Sequence, residues 1–347
     1  EPYRRQRQMC IRDRIMAIES SCDETACAIV KGGREVIANV VASQIKIHEE
    51  FGGVIPEIAA REHLEAINVV IDETFKQAGV TGKDVTAFAS TVGPGLVGCL
   101  LVGMNAAKTL ALAYDKPFIG VNHLNAHLAA NFIDTNLEPP FIALLVSGGH
   151  TQIIKVSSFS EMEIIGETID DAVGEAYDKV ARAIGLGYPG GPKIDKLSRE
   201  GNPNAIAFPR ASIEGSPFDF SFSGVKSAVL NYINGCKMKN EVYSEADIAA
   251  SFQKAVVDVL VERTLAAAQK YQIRKIALAG GVACNGGLRE AMKSSCEEKG
   301  YALYYPSPIL CTDNAAMIGA AGYYEFMKGT RHGLDLNAIP GLKLGER

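Results

Sequence analysis

The chain has 347 residues, 47% hydrophobic and 22% charged, and its 35 basic and 40 acidic side chains leave a net charge of −5. That length accommodates two domains with separate cores, and the acidic balance excludes a global basic field for nucleic acid, so any RNA contact must rest on a local patch or a partner. No apolar stretch reaches the length of a membrane span, and the eight scattered cysteines lack zinc-like pair spacing, which fits buried thiols in a reducing cytoplasm.

Glu1–Arg14 carries five arginines without the apolar run of a secretory signal. Residues 1–14 are expected to be a disordered extension or an artefact, with folded sequence from about Ile15. Ile15–Ser20 and Ala26–Val30 are apolar runs around the polar Cys22-Asp23-Glu24-Thr25, which predicts strand, turn, strand. Apolar residues at Ile58, Leu64, Ile67, Val70, Ile71 and Phe75 give Pro56–Ala78 a helical period. Val85–Val92 reads as a buried strand and Leu96–Tyr114 as a helix behind a glycine-rich turn. Phe118–Val121 is a further strand, feeding a helix over Asn122–Asn131. Such alternation predicts an α/β fold. In the second half a helix is expected over Asp170–Ile184, with Asp170 or Asp171 at its start. Gly187–Pro192 is too rich in glycine and proline for helix or regular strand. Ser244–Tyr271 reads as a long helix, Lys275–Ala279 as a strand, Leu288–Lys299 as a helix and Ala302–Tyr305 as a strand, before a last helix from about Asp313 to Met327.

The opening of the chain recurs. Ala17–Val30 can be laid on Ala143–Val156: an apolar strand ends before Ser21 or Ser147, Thr25 or Thr151 closes the turn, and a second apolar strand follows. A repeat at this separation points to a duplicated domain rather than a solenoid. Two lobes that each open with such a hairpin resemble the actin, hexokinase and sugar-kinase superfamily. The expected fold class is therefore α/β, a duplicated two-lobe fold of that (ASKHA) type with a central cleft. The N-terminal lobe is expected over residues 15–136, with the C-terminal helix (about 322–344) returning to it, and the C-terminal lobe over 137–321.

His123 and His127 lie one turn apart on their predicted helix and project from one face, about 6 Å from each other. Two imidazoles so placed can share one divalent ion. Asp313, at the start of another helix, offers a third ligand, and a His-His-Asp set leaves coordination positions open for chemistry. The bland readings are a pair of satisfied helix histidines and an aspartate N-cap; a carboxylate has two oxygens, so capping and ligation are compatible. The histidine spacing also matches metallopeptidases, but Leu124 occupies the position where H-E-x-x-H places its general base, which disfavours a peptidase.

Gly93-Pro-Gly-Leu-Val-Gly98 matches the dinucleotide pattern, yet no acidic residue ends the next strand, so these glycines read as a tight strand-to-helix junction. The glycine pairs in Ser147–Thr151 and Gly280–Asn285 are better nucleotide candidates. Each follows an apolar strand, where backbone N–H groups can approach a phosphate or ribose, and a helix after Asn285 adds its positive end. Asp171, Glu175 and Asp178 share a helix face whose default role is solvation; Asp178 and the nearby Asp195 could bind ribose or substrate hydroxyls.

Taken in order, Ser20–Thr25, Gly52–Glu57, Gly93–Gly98, Asn122–His127, Leu145–Thr151, Tyr188–Pro192, Phe220–Gly224, Gly280–Asn285 and Cys311–Asn314 resemble one family. It is the tRNA N6-adenosine threonylcarbamoyltransferase family in its bacterial or organellar form, once taken for sialoglycoprotein endopeptidases. The resemblance runs from about Ile15 to the last helix. It implies transfer of a threonylcarbamoyl group from threonylcarbamoyl-adenylate to the exocyclic amine of the adenosine 3′ of the anticodon, with release of AMP. It implies His123, His127 and Asp313 as metal ligands, and Leu145, Val146, Ser147, Gly148, Gly149, Asp178, Gly191, Asp195 and Asn285 as substrate-binding positions. Two histidines and a carboxylate suit Fe2+ or Zn2+, with Fe2+ the first expectation. The implied partners are tRNA, the adenylate donor, a shorter inactive paralogue and a small P-loop ATPase, in the cytoplasm and without a membrane. Asp23 or Glu24, in the first hairpin turn, is expected to assist proton removal from the amine. The alternative is an ATP-dependent small-molecule kinase of the same fold, which would want a catalytic aspartate for a hydroxyl and need no His-His-Asp set.

Overall fold

The computed structural model describes residues 13–159, 161–211, 213 and 215–346, so the expectation for residues 1–14 lies, apart from Asp13 and Arg14, outside the described residues. The chain divides into two compact units. Of the described residues, the first takes those up to Glu138, then Ser158–Met162 and those from Pro306 on; the second takes those of Pro139–Ser157 and Glu163–Tyr305.

In the first unit, β1 (Arg14–Glu19), β2 (Glu24–Lys31), β3 (Glu35–Ser43), β4 (Ala87–Gly93) and β5 (Phe118–Asn122) form one sheet in the order β3-β2-β1-β4-β5. β1 runs antiparallel to β2 and parallel to β4, and β4 runs parallel to β5. β1, β2 and β4 are buried along nearly their whole length because helices cover both faces. Met16, Ile18, Cys27, Ile29 and Phe88 pack with Ile67 and Val70 of the helix Pro56–Ala78 and Met104 and Ala107 of the helix Val97–Ala113. On the other face the helix Ala315–Met327 comes in on its glycines: a Cβ on Gly319 would stand 2.7 Å from Val30, and one on Gly322 3.0 Å from Ala89.

The second unit repeats the plan. β6 (Phe141–Val146), β7 (Thr151–Ser158), β8 (Glu161–Glu167), β9 (Lys275–Ala279) and β10 (Ala302–Tyr304) are ordered β10-β9-β6-β7-β8, which is the first sheet shifted by five strands. The register repeats too. Glu19 faces Ala26 across the first hairpin, and Leu145 faces Gln152 across the second, as the sequence repeat lays them. The duplicated two-lobe α/β fold is therefore present, strand for strand.

Three expectations need correction. The expected lobe boundary at residue 321 falls inside the helix Ala315–Met327; the chain returns to the first unit at Pro306, because that helix covers the first sheet. The helix expected from Asp170 begins at Val173. Asp170 is instead drawn to the segment Ser221–Ser223, accepting from Ser221 Oγ at 2.5 Å and Phe222 N–H at 2.8 Å. Gly190–Ser198 is helical despite its glycines and proline: Asp178 Oδ1 accepts the Gly190 N–H at 2.6 Å, and Pro192 lies in the first turn, where no N–H is needed.

Candidate functional site

The histidine helix spans His123–Ala129, one turn shorter than expected, and starts where Asn122 caps it. Asn122 Oδ1 accepts from Leu124 N–H at 2.9 Å and Asn125 N–H at 3.3 Å, supplying two of the partners a helix start lacks. Asp313 does not cap the next helix. Asn314 does, accepting from Met317 N–H at 3.0 Å, and this leaves the neighbouring carboxylate free to turn elsewhere. Asp313 Oδ1 lies 3.2 Å from His127 Nε2 and 3.5 Å from His123 Nε2. The three ligand atoms all fall within 4.8 Å of one another.

Behind His123 stands Glu19, the last residue of β1 and fully buried. Its Oε2 accepts from His123 Nδ1–H at 2.9 Å and from Thr91 Oγ1 at 2.7 Å, and its Oε1 accepts from Ser21 N–H at 2.6 Å. With Nδ1 turned to Glu19, Nε2 is the nitrogen that His123 presents to the Asp313 side, as a metal-binding imidazole backed by a carboxylate requires. His127 Nδ1 is buried without a hydrogen-bond partner among the described residues, and the ring lies edge-on to that of His123 with centroids 4.6 Å apart. The donor set and the oriented imidazole fit one divalent ion.

Charges reinforce one another here. Burial pushes the Asp313 carboxyl up, but His123 and His127 outweigh it and bring it down to about 2. Burial would lower the His123 pKa, and Asp313 and Glu19 raise it to about 9 instead. In the first hairpin turn Asp23 and Glu24 are both buried. Glu24 is pushed up to about 10 by burial, then by the charges of Asp313 and Asp23 and a hydrogen bond to Asp23. The turn is pinned from the helix Pro56–Ala78 by His63, whose Nδ1 lies 2.7 Å from Thr25 Oγ1 and whose Nε2 donates to the Cys22 carbonyl at 3.0 Å.

The glycine-rich junction at Gly93–Gly98 packs protein against protein. A Cβ on Gly93 would stand 2.0 Å from the Ile339 carbonyl, and Ile339 N–H donates to Val92 O at 2.7 Å.

In the second unit, Leu145 and Val146 end β6 in full burial. Ser147 closes the turn on His150, with Ser147 N–H donating to His150 O at 2.8 Å and Ser147 Oγ accepting from His150 N–H at 3.1 Å. Gly148, Gly149 and Gly191 face open space. Gly280, at φ 86°, backs onto Val146, where a Cβ would meet the carbonyl at 2.4 Å, so the two glycine loops lie side by side. Asp195 and Asn285 meet at the start of the helix Gly286–Lys299. Asp195 Oδ2 accepts from Gly286 N–H at 3.1 Å and its Oδ1 from Gly287 N–H at 3.2 Å, while Asn285 Oδ1 accepts from Leu288 N–H at 2.8 Å. Asp178 and Gly191 meet instead at the start of Gly190–Ser198, and burial raises the Asp178 carboxyl. Glu175 stays on the solvated side and pairs with Lys179 at 2.6 Å, whereas the more buried Asp171 lies 3.0 Å from Lys179 and pairs with Lys226.

Two residues of these sites lie outside the sequence expectations. Glu19 had a signal, since the repeat lays it on Leu145 in a strand otherwise apolar. Gln253, which donates to Asp195 Oδ1 at 3.0 Å, sits inside a long helix and carries none.

The tRNA N6-adenosine threonylcarbamoyltransferase family pattern matches residues 35–320. The tRNA N6-adenosine threonylcarbamoyltransferase of Clostridium perfringens is 60% identical over 334 residues, covering 96% of this chain and 98% of that protein. The enzyme of the same name from Clostridium botulinum is 59% identical over the same shares. Among solved structures, full-length HypF in its phosphate- and nucleotide-bound form aligns with a TM-score of 0.62 at 16% identity, over 91% of this chain and 47% of that one. Component A of (R)-2-hydroxyglutaryl-CoA dehydratase from Acidaminococcus fermentans aligns at 0.51 and 17% identity, over 90% and 98%. These structural likenesses speak to the duplicated fold alone, whereas the likeness in sequence spans nearly the whole of both chains and both glycine loops: the chain belongs to the tRNA N6-adenosine threonylcarbamoyltransferase family.

Proposed function

We propose that the protein moves a threonylcarbamoyl group from threonylcarbamoyl-adenylate to the N6 amine of the adenosine 3′ of the anticodon in tRNA, and releases AMP. The observation that carries this reading is the convergence of His123, His127 and Asp313 on one point, in a chain 60% identical to enzymes of that name.

The donor is a mixed anhydride, so AMP is a competent leaving group and the enzyme's work is to hold, orient and protect it. The N6 nitrogen forms the new bond to the carbonyl carbon, the carbon–oxygen bond to phosphate breaks, and its electron pair leaves with AMP. Backbone N–H groups of the open Gly148-Gly149 turn receive the nucleotide, with Asp178, Gly191, Asp195 and Asn285 around it. Positioning of this kind contributes on the order of 7 kcal/mol or more to an acyl transfer. His123, His127 and Asp313 hold one divalent ion, Fe2+ in our reading, which when bound supplies Lewis acidity toward a donor oxygen. Asp23 accepts the proton leaving N6. Glu24, whose carboxyl is pushed up by burial and by the charges of Asp313 and Asp23, is the poorer acceptor of the two. Leu124, buried where a peptidase would hold its base, offers no group to activate water.

With a net charge of −5, this chain grips tRNA together with partners, which we take to be an inactive paralogue and a small P-loop ATPase in the cytoplasm. Nucleoside mass spectrometry tests the reading: unmodified tRNA is incubated with the protein, those partners and synthetic threonylcarbamoyl-adenylate, beside a His123→Ala/His127→Ala variant. Threonylcarbamoyladenosine from the parent and none from the variant is expected. No product from a folded, metal-loaded parent would overturn it.

A further inference from the structure

Gln253, in the helix Glu245–Lys270, is 7% exposed and uses its whole amide. Its Nε2 donates to Asp195 Oδ1 at 3.0 Å and to Ser198 Oγ at 2.9 Å. Its Oε1 accepts from Asn285 Nδ2 at 2.8 Å and from Tyr177 OH at 3.4 Å. Two donors and two lone pairs are the full capacity of a carboxamide. The direction of each bond is forced by its partner. A carboxylate can only accept. The Ser198 hydroxyl already donates to the Asp195 carbonyl at 2.8 Å, so it too accepts. Asn285 spends its carbonyl oxygen on the Leu288 N–H, so only its NH2 can face Gln253. One side chain thus joins Asp195 and Asn285 from behind and fixes which way the Asn285 amide points.

We propose that Gln253 is a positioning residue for nucleotide binding: it sets the Asn285 amide and the Asp195 carboxylate in register at the start of Gly286–Lys299 without touching the ligand. This rests on the reading above that Asn285 and Asp195 hold the adenylate. Tyr177, fully buried and edge-on to Phe252 at 5.2 Å, closes the same network on the protein side. Removing Gln253 takes the acceptor from the buried Asn285 NH2 and one donor from the Asp195 carboxylate, and leaves the Asn285 amide with one anchor fewer.

AMP binding to the full-length protein, measured by calorimetry, tests this with three variants. Gln253→Leu is expected to weaken AMP about tenfold and to raise KM for threonylcarbamoyl-adenylate by a similar factor, with kcat at saturation little changed. Gln253→Glu keeps the acceptor toward Asn285 but sets a second carboxyl against Asp195. Those two groups share a proton as pH falls, which restores the missing donor, so the AMP affinity of this variant is expected to recover from about pH 8 toward about pH 5.5 relative to the parent. A residue that only fills space would not give that recovery. Parental AMP affinity in Gln253→Leu, while Asn285→Ala loses it, overturns the role of Gln253 and leaves the nucleotide site standing. Parental affinity in Asn285→Ala overturns the nucleotide reading itself, and the proposal with it. Should Gln253→Leu not fold, a Gln253→Glu affinity equal to the parent at every pH is the overturning result.

Discussion

Glu19 Oε2 stands 2.9 Å from His123 Nδ1, at the end of a strand with no other charged residue between Ile15 and Ser20. A buried carboxylate is costly unless hydrogen bonds replace its water, and here three donors do so: Ser21 N–H, Thr91 Oγ1 and the imidazole. The pair fixes both the tautomer and the tilt of His123. Glu19→Gln keeps the shape but turns one oxygen into an NH2 that cannot accept from Thr91 or Ser21. Metal affinity in this variant is expected to fall roughly 10- to 100-fold, read as iron or zinc retained after dialysis against a graded chelator. Parental retention by a folded Glu19→Gln protein would contradict the role.

Asn122 joins the histidine helix to the end of the chain. While its Oδ1 caps the helix, its Nδ2 donates to the Lys343 carbonyl at 2.7 Å. The tail is also held at Phe118 by His332 N–H at 2.9 Å and at Val92 by Ile339 N–H at 2.7 Å. Asn122→Ala is expected to cost about 1 kcal/mol through the lost cap. Asn122→Asp keeps the cap and loses only the bond to Lys343, so its melting temperature should stay near the parent while amide exchange in residues 340–346 accelerates. Equal exchange in the parent and the aspartate variant would show that the tail is held elsewhere.

His63 makes stability sensitive to acid. Burial lowers its pKa below 6.5, outweighing its bond to the Cys22 carbonyl and the nearby charges of Glu19 and Asp23. The unfolded chain therefore takes up a proton as pH falls through about 6.5, whereas the native chain does not. Native stability contributed by the neutral ring is fully present above that pH and is lost as pH falls toward the folded pKa, by at most about 1.4 kcal/mol per pH unit for one group. Denaturant melts at pH 7.5 and 5.5 should give a smaller difference for His63→Gln than for the parent. An unchanged difference would mean that other groups set the slope.

The sequence discloses those features whose signal is local. The strands of both hairpins and the helix Pro56–Ala78 are apolar runs of clear period, and both hairpins pair as their repeat predicts. The His123–His127 pair is legible from residue type and helical spacing. What stays hidden depends on partners distant in sequence. The helix at Gly190–Ser198 exists because Asp178 meets its first N–H. Asp313 faces the histidines because Asn314 is the better-placed cap, and two adjacent candidates cannot be told apart by preference alone. Gln253 reads as any other polar residue of a 26-residue helix until its contacts to Asp195 and Asn285 appear.

The first hairpin turn carries two buried carboxyls with unequal prospects. Glu24 accepts from Ser43 Oγ at 3.1 Å, and its carboxyl is pushed up to about 10 by burial, by Asp313 and by Asp23. At neutral pH it is already an acid, so Glu24→Gln changes neither charge nor much volume. Single-turnover transfer in that variant should stay within about threefold of the parent. Asp23→Asn removes the proton acceptor we assign to the N6 amine, and a lost general base costs about 10²-fold or more. The two variants should therefore separate widely when the rate is followed with donor, tRNA and partners saturating. A steep loss in Glu24→Gln with little change in Asp23→Asn would reverse the assignment. Parental rates in both would remove the turn from the chemistry and leave it only the work of carrying Glu19 and Ser21 to the imidazole of His123.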